Sequence, residues 1–269
     1  MNLNFIKMEA LGNDYIYVDM MDNKGLNVAD IRIWARALCD RHRGIGGDGV
    51  IVLDAISSSG EIATRIFNSD GTEAEMCGNG LRCIAQLAYD RVYTKGRNEF
   101  DILLKKTNRK VRAFVENEAV TINMGTAILE KEGFVEFNGE KITYTSINIG
   151  NPHAVVFTKD IASLNIDELG PFIENHENFP QRTNVEFINL VDKGSINMRV
   201  WERGAGETMA CGSGACASVA AAISKKICND SVNVNMPGGT ATVSRKGESI
   251  YLTGPVNYVF KGEYLLRIQ

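Results

Sequence analysis

The sequence predicts an α+β fold made of two related halves, each with a mixed, largely antiparallel sheet. Segments with the alternating polarity of strands outnumber helical segments several to one along the 269 residues. A cysteine–glycine signature occurs twice, as Cys77-Gly-Asn-Gly and as Cys211-Gly-Ser-Gly, and each copy runs into an apolar stretch of helical period. The spacing between the two cysteines also carries Asn68 onto Glu202, so the repeat extends upstream of the signature.

In the first half, two helices are expected among the strands. Asn27 can cap a helix over residues 28–40, because its side chain can accept a hydrogen bond from the first turn and apolar residues recur on one face. The signature at Cys77 is expected to open a second helix that runs to about Tyr89. Strands are predicted at residues 5–8, 15–19, 50–53, 62–67, 102–104, 110–115 and 120–124.

The second half repeats this order. Its signature is expected to open a helix over residues 214–227, and the last segment, 256–268, is expected to form one or two strands. Gly125 and the charged segment 130–133 predict the point where the chain crosses between the halves. The other strands are predicted at residues 144–149, 154–157, 185–190, 196–201, 232–235, 240–244 and 250–253.

Composition and charge narrow the classes of function. The net charge is −4 without a long run of one sign, so nucleic acid is not an expected partner. Apolar stretches are far shorter than a membrane span, and the N-terminus lacks the layout of a signal peptide, so we expect a cytoplasmic protein without a membrane partner. Six cysteines in such a chain are expected to be thiols rather than a disulfide framework.

Cys77 and Cys211 are the candidate acid and base. Because a helix N-terminus favours negative charge, either thiol is expected to have a pKa near neutral pH, below the value of about 8.5 for an ordinary cysteine. One thiolate would take a proton from one face of an α-carbon and the opposite thiol would supply a proton to the other face, as a racemase or epimerase requires. The glycines at 78, 80, 212 and 214 would let a substrate carboxylate approach the helix N–H groups. This chemistry requires no cofactor.

Two alternatives compete with that interpretation. Cysteines are often simply buried, but burial explains neither the shared glycines nor the repeated glutamate of the signature. A zinc site is the second alternative, yet cysteines five or six positions apart on a helix point away from each other and form no CxxC pair. We therefore expect no metal. The four ligands of such a zinc site would have been Cys77, Cys83, Cys211 and Cys216. A structural role in or near the core is expected instead for Cys39, Cys83, Cys216 and Cys228.

Three further features bear on function. Residues 44–49 match GxGxxG formally, but they follow a helix and open a strand, which is the reverse of a dinucleotide-binding turn, so they predict a tight turn. His153 follows Gly-Asn-Pro and is expected to support its loop rather than to catalyse. Glu202 and Arg203 precede the second signature, where the arginine could grip a carboxylate and the glutamate an ammonium group of an amino acid.

Together these motifs resemble the diaminopimelate epimerase family over essentially the whole chain. In the first half the resemblance rests on residues 10–15, 41–46, 67–73 and 76–80, and in the second half on residues 148–153, 182–185 and 201–216. The block Glu-Arg-Gly-Ala-Gly-Glu-Thr, followed by Ala-Cys-Gly-Ser-Gly, is highly specific. One position departs from the pattern: Gly49 stands where some members carry glutamine, which leaves the acid/base pair intact.

The resemblance implies two pseudo-symmetric domains, each a sheet wrapped around a central helix, with the active site between them. Residues 1–117 with a returning tail, 257–269, would form the first domain, and residues 118–256 the second. The resemblance also makes Cys77 and Cys211 the catalytic pair, and it implies a homodimer. The implied substrate contacts are Asn13, Asn68, Gly78, Asn79, Asn151, Asn184, Glu202, Arg203, Gly212 and Ser213.

The leading hypothesis is cofactor-independent epimerisation of LL-2,6-diaminopimelate to the meso form, on the route to lysine and peptidoglycan. Racemisation of another amino acid, such as proline, on the same two-thiol scaffold is the neighbouring alternative. That substrate would lack the distal amino-acid head that Glu202, Arg203 and the asparagines could bind. A non-enzymatic thiol or zinc-binding module is the third possibility.

Overall fold

The computed structural model describes residues 2–58, 60–116 and 119–266, and these residues form eighteen strands and four helices. The α+β prediction is confirmed. The elements of the first half are β1 (Asn2–Ala10), β2 (Asn13–Asp19), α1 (Val28–Cys39), β3 (Gly49–Ile56), β4 (Ile62–Asn68), β5 (Glu73–Ala74), α2 (Gly78–Asp90), β6 (Glu99–Leu104), β7 (Arg109–Glu116) and β8 (Ala119–Thr126). Those of the second half are β9 (Ile128–Phe137), β10 (Glu140–Asn148), β11 (Pro152–Phe157), α3 (Ile166–Glu174), β12 (Asn184–Asp192), β13 (Ser195–Glu202), β14 (Gly206–Thr208), α4 (Gly212–Ser224), β15 (Ser231–Met236), β16 (Gly239–Lys246), β17 (Ser249–Pro255) and β18 (Asn257–Leu265).

The chain divides into two compact units. The first unit is Met1–Ile122 together with Gly254–Gln269, and the second is Asn123–Thr253. The C-terminal strand β18 pairs antiparallel with β1 in the first unit. The boundary predicted at residues 117 and 118, and the end of the last predicted strand at 267 and 268, lie outside the described residues. The predicted domain limits stay a prediction.

Both units have the same strand topology. In the first unit β2 is parallel to β3, β3 is antiparallel to β4, and β4 pairs with the short β5 and in parallel with β6. In the second unit β11, β12, β13, β14 and β15 make the corresponding pairings in the same directions. The remaining pairs are largely antiparallel. Asn68 and Glu202 are the last residues of the corresponding strands β4 and β13, as the sequence repeat predicts.

Helix α1 begins where the sequence predicts. The Asn27 side chain accepts a hydrogen bond from the Asp30 backbone N–H at 3.0 Å, and the Asp30 carboxylate accepts one from the Asn27 N–H at 3.1 Å, which is a reciprocal capping box. Its apolar face is buried in the core of the first unit. The helix ends at Cys39, one residue earlier than predicted, because Asp40 adopts an extended conformation.

Helices α2 and α4 are the central helices of their units. Each has thirteen residues, and most of them are buried, including residues on opposite faces. Helix α4 begins at Gly212 rather than at 214, and it ends at Ser224 rather than at 227 because Lys226 adopts a left-handed φ of 59°. In the described ranges no helix is long and apolar enough to cross a membrane.

Two elements differ from the sequence predictions. The charged segment 130–133 is not the crossing point but lies inside β9, which pairs along its length with β10 and exposes most of its side chains, so it lacks an alternating pattern. Helix α3 was not predicted, because its Gly170-Pro171 dipeptide is typical of turns. Gly170 serves packing instead: a Cβ there would lie 2.6 Å from Trp201 Cγ.

Candidate active site

Cys77 is the N-cap residue of α2. Its sulfur accepts a hydrogen bond from the Gly80 backbone N–H at 3.3 Å, and its thiol donates to Asn13 Oδ1 at 3.5 Å. The extended backbone of Cys77, with φ −145° and ψ 107°, turns the side chain back over the first turn. The thiol is therefore held between the positive end of a helix and an amide oxygen.

The amide of Asn13 is oriented by Asp48. Asn13 Nδ2 donates to Asp48 Oδ2 at 2.6 Å, which leaves its carbonyl oxygen for the thiol of Cys77. Arg41 Nη2 in turn donates to Asp48 Oδ1 at 2.9 Å. Burial raises the pKa of Asp48. No sequence motif singles out this carboxylate as functional, although its place in the glycine-rich turn after α1 is a signal.

That turn has the form predicted for residues 44–49. Gly46 has a φ of +82°, and a Cβ at Gly44 would lie 2.1 Å from the carbonyl oxygen of Ala37. Strand β3 then begins at Gly49. The glycines therefore serve a tight helix-to-strand connection.

Cys211 is the N-cap residue of α4 and is only 6 % exposed. Its sulfur lies 3.5 Å from Ser213 Oγ. Burial, followed by the negative charges of Glu202 and Glu186, raises the pKa of Cys211 well above its usual value. The Ser213 hydroxyl and the Gly214 N–H oppose this shift without cancelling it. The expectation that a helix N-terminus brings this thiol near neutral pH is therefore wrong, because desolvation outweighs the helix end.

A chain of hydrogen bonds runs from Cys211 into the core of the second unit. Asn151 Nδ2 donates to Ser213 Oγ at 3.4 Å, and Asn151 Oδ1 lies 3.0 Å from His153 Nε2. His153 Nδ1 lies 2.7 Å from Glu186 Oε1, and both of these side chains are fully buried. The expected supporting role of His153 in its loop agrees with these contacts. No sequence motif points to a role for Glu186 at the site, and the available signal is that a carboxylate stands in the predicted strand 185–190.

Glu202 lies close to the second thiol. Its Oε1 accepts a hydrogen bond from Thr208 Oγ1 at 2.5 Å. Burial raises the pKa of Glu202, against the opposing effect of hydrogen bonds from Thr208 and Cys211. Burial therefore raises the pKa of both Glu202 and Cys211.

The side chain of Asn184 is hydrogen-bonded to the backbone of Arg203. Asn184 Oδ1 accepts from the Arg203 N–H at 3.0 Å, while Asn184 Nδ2 donates to the carbonyl of Pro152 at 2.9 Å. The side chain of Asn184 therefore holds two loops in place. Arg203 is exposed, and its Nη1 donates to the carbonyl of Gln181 at 3.3 Å.

The other predicted contacts lie at the same helix starts or at a strand end. Gly78 and Asn79 are the first residues of α2 and are buried, and Gly212 and Ser213 are the first residues of α4. Asn68 is exposed at the end of β4, where its Nδ2 donates to Thr72 Oγ1 at 3.0 Å.

Gly80 and Gly214 have a clear packing role. A Cβ at Gly80 would lie 2.3 Å from Ile51 Cδ1, and a Cβ at Gly214 would lie 2.7 Å from Glu186 Oε1. These two glycines are buried, as are Gly78 and Gly212, and the expectation that the four glycines open the helix N–H groups to substrate stays a prediction. Gly80 and Gly214 let each central helix lie directly on its sheet.

Gly49 and Asn184 occupy equivalent positions in the strand topology of the two units. Gly49 pairs with Tyr15 on β2, and Asn184 pairs with His153 on β11, at the same register position of the two units. A Cβ at Gly49 would lie 2.3 Å from the carbonyl oxygen of Phe67 and 2.6 Å from Tyr15 Cε1. The aromatic ring therefore occupies the space that a side chain would need here.

The remaining cysteines lie in or near the cores, as predicted. Cys39, Cys83 and Cys216 are buried and Cys228 is half-buried, and none of the six cysteines is in a disulfide. Burial raises the pKa of Cys39 to about 11 and that of Cys83 to about 12. Within the described part of the chain, no group of three or more histidine, cysteine or acidic side chains is arranged to hold a metal ion.

The family model and the similar proteins of known family agree on one family. The model of the family described as diaminopimelate epimerase matches residues 5–130 and 145–259. The chain is 39 % identical to a diaminopimelate epimerase from Carboxydothermus hydrogenoformans, covering 98 % of this chain and 100 % of that protein, and 40 % identical to one from Leptospira biflexa, covering 98 % and 99 %. Its fold is similar to that of a hydroxyproline epimerase from Agrobacterium vitis, with a TM-score of 0.72 at 16 % identity over 97 % of this chain and 92 % of the other.

The raised pKa of Cys211 gives a testable expectation. Because the thiol stays protonated at neutral pH, iodoacetamide should label Cys211 slowly in the ligand-free protein, and the rate should rise only as the solution becomes alkaline beyond the usual thiol pKa of about 8.5. Peptide mass spectrometry measures the labelling, with urea-unfolded protein as the control for an unshifted thiol. Equal labelling profiles of Cys211 in the folded and unfolded protein would contradict the assignment.

Proposed function

Because the chain belongs to the diaminopimelate epimerase family, we propose that Cys77 and Cys211 carry out the proton transfers that interconvert LL- and meso-2,6-diaminopimelate. The interconversion is a step of lysine biosynthesis, and the chain is the isomerase that catalyses it. The similarity to the hydroxyproline epimerase, at 16 % identity, concerns the fold alone.

The observation that carries this proposal is the duplicated position of the thiols. Inverting an α-carbon by proton transfer needs a base on one face and an acid on the other. Each unit supplies one cysteine at the N-cap of its central helix, in the same topological position. Two equivalent groups suit a reaction that must run in both directions.

The raised pKa of Cys211 suits the role of proton donor. Cys211 keeps its proton at neutral pH because burial and two carboxylates raise its pKa, so it is the proton donor in this form of the protein. We assign Cys77 as the base, a role that it takes once its thiol has released the proton that it donates to Asn13 Oδ1 in the ligand-free form. Once Cys211 has given up its proton, the hydroxyl of Ser213, 3.5 Å away, can stabilise the thiolate. The two thiols exchange roles in the reverse reaction, which needs no cofactor.

Helix ends stabilise the charge that the reaction creates. Removing the α-proton builds up negative charge next to the substrate carboxylate, and the first N–H groups of a helix have no partner within the helix. We assign the carboxylate of the reacting head to such groups. The residues that present them are Gly78, Asn79, Gly212 and Ser213.

Polar side chains would bind the rest of the substrate. Diaminopimelate carries a second amino-acid head, and the exposed guanidinium of Arg203 suits a carboxylate while Glu202 suits an ammonium group. Asn184 already uses its oxygen and one amide hydrogen, so its substrate contact would use the other hydrogen. The remaining proposed contacts are Asn13, Asn68 and Asn151.

The cytoplasm is the proposed location, since lysine precursors are made there. A homodimer is the proposed assembly, and it is supported by the C-terminal strand β18. Three consecutive apolar residues of this strand are exposed: Tyr258 by 47 %, Val259 by 54 % and Phe260 by 48 %. Adjacent exposed apolar side chains on both faces of one strand are typical of a surface that another chain covers.

The assembly can be tested by light scattering after size exclusion. The wild-type protein should have twice the 29.6 kDa mass of one chain, and Phe260→Glu should shift the protein towards the single-chain mass because a charge would be buried at the interface. Ile33→Glu, at a site that is 74 % exposed on α1, is the control and should leave the mass unchanged. A wild-type protein of single-chain mass would contradict the proposal.

The roles of the thiols can be tested by substitution. Cys77→Ala and Cys211→Ala should each lower the rate of LL-to-meso conversion by a factor on the order of 10² to 10⁴, the usual contribution of a general acid or base. In D2O the wild-type protein should place deuterium on the inverted α-carbon. Cys83→Ala and Cys216→Ala change buried cysteines of the same two helices and are the matched controls, which should retain most of the activity. Full activity in either Cys77→Ala or Cys211→Ala would refute the two-thiol scheme.

A further inference from the structure

One ion pair recurs in the two units at positions that the sequence repeat relates. Arg199 on β13 donates to Glu207 on β14, from Nε to Oε1 at 2.8 Å and from Nη2 to Oε2 at 3.1 Å. Arg65 on β4 donates to Glu73 on β5, with Nη1 3.1 Å from Oε1 and 3.3 Å from Oε2. The two pairs are separated by the same spacing as the two signature cysteines. The repeated glutamate of the signature therefore has an arginine partner in each unit.

Strand register brings the two side chains of each pair together. Glu207 is the pairing partner of Trp201, and Glu73 is the pairing partner of Phe67. Each arginine stands two residues before that partner, so it lies diagonally opposite the glutamate on the same face of the sheet. This separation is within reach of a long side chain. Both ion pairs thus result from the same register.

The pair in the second unit is more than a solvated surface contact. Exposed ion pairs contribute little to stability as a rule, but only 24 % of the Arg199 side chain and 31 % of the Glu207 side chain are exposed. The two parallel bonds have the fork geometry in which a guanidinium grips a carboxylate. Arg199 Nη1 also donates to the carbonyl oxygens of Ile161 at 3.1 Å and Leu164 at 3.0 Å. This arginine therefore ties Glu207 both to β13 and to the segment before α3.

The strands that carry the two glutamates are short. β14 has three residues and β5 has two, so each makes few ladder hydrogen bonds with its neighbour. The N-cap cysteine follows three residues after the last residue of each strand, Thr208 in one unit and Ala74 in the other. A side-chain tie on such a strand therefore helps to set where the next helix, and its cysteine, begins.

Both arms of the hairpin β13–β14 reach the second thiol. Glu202, the last residue of β13, is hydrogen-bonded to Thr208 Oγ1 at 2.5 Å and to Cys211. Successive side chains of a strand point to opposite faces, so Glu207 lies on the face of the hairpin opposite to Thr208. Separation of β14 from β13 would draw Thr208 away from Glu202 and admit water to Cys211, which is only 6 % exposed. The ion pair opposes that separation from the other face.

We propose that Arg199 and Glu207, with Arg65 and Glu73 as their counterparts, are positioning pairs that hold the hairpin before each central helix and thereby keep its cysteine in place. Each pair acts through the hairpin rather than by contact with the thiol. The inference rests on the proposed function, since it gives the pairs a part in the proton transfers of the two cysteines.

Variants of opposite charge separate this role from simple electrostatics. Glu207→Gln removes a negative charge and Arg199→Gln removes a positive one, so a purely electrostatic effect would change the reactivity of Cys211 in opposite directions. Loosening the hairpin has one direction only, because it admits water and reagent to a thiol whose pKa is raised mainly by burial. Both variants should therefore make Cys211 more reactive.

Alkylation by iodoacetamide at neutral pH, followed peptide by peptide with mass spectrometry, measures this reactivity. Each variant should label Cys211 roughly tenfold faster than the wild-type protein, equivalent to about one unit of pKa, and the rise of labelling with pH should begin at lower pH. The double variant should be no faster than the faster single variant, because both substitutions break the same tie. Cys216, buried in the same helix, should stay unlabelled because α4 remains folded.

A second ion pair of this unit provides the matched control. Arg245 Nη2 lies 2.6 Å from Asp230 Oδ1, and neither residue belongs to the hairpin. Asp230→Asn and Arg245→Gln should leave the labelling of Cys211 unchanged. Opposite changes at Cys211 in the two test variants, or an unchanged rate in either, would overturn the proposal. Labelling of Cys216 together with Cys211 would also overturn it, since it would show general unfolding of the helix.

The counterpart pair allows the same comparison in the first unit. Glu73→Gln and Arg65→Gln should change the labelling rate of Cys77 in the same direction. Changes in opposite directions, or no change, would overturn the positioning role of this pair. Labelling does not use turnover, so a failure of the epimerase assay and a failure of this inference are separate results.

Discussion

The position of each thiol depends on the close packing of a helix start against its sheet. Each central helix begins immediately after a cysteine, and glycine at its third position lets the first turn lie against a strand side chain, Ile51 in one unit and Glu186 in the other. Any larger residue at Gly80 or Gly214 would lift the helix and move the thiol with it. The close packing therefore fixes where the sulfur of each N-cap residue lies, and the burial that comes with it sets the protonation of Cys211.

The same backbone carries different chemistry in the two units. The strand pairings repeat in order and direction, yet the asparagine near each thiol is oriented by a different group, Asp48 for Asn13 and His153 for Asn151. One amide presents its oxygen to a thiol and the other presents its nitrogen to Ser213. The proposed reaction has a use for this difference, because the two faces of the α-carbon that it inverts are not equivalent.

The features that a local sequence pattern determines could be predicted. The capping box at Asn27, the two helix starts and the buried positions of Cys39, Cys83 and Cys216 all follow from spacing and residue type. Strand β9, whose exposed residues carry no alternating pattern, and helix α3, which contains a Gly-Pro dipeptide, could not be predicted in this way. The pKa of Cys211 and the pairing of Glu186 with His153 depend on burial and on side chains far apart in the chain, and neither can be read from a local motif.

The central claim is that both sulfurs act on one α-carbon. A crystal structure of the protein with diaminopimelate bound tests it directly, through the distances from Cys77 Sγ and Cys211 Sγ to the carbon that is inverted. We expect both sulfurs on opposite faces of that carbon and within about 3.5 Å of it, the separation of reacting atoms in a productive complex. A bound substrate whose α-carbon contacts only one of the two sulfurs would contradict the account.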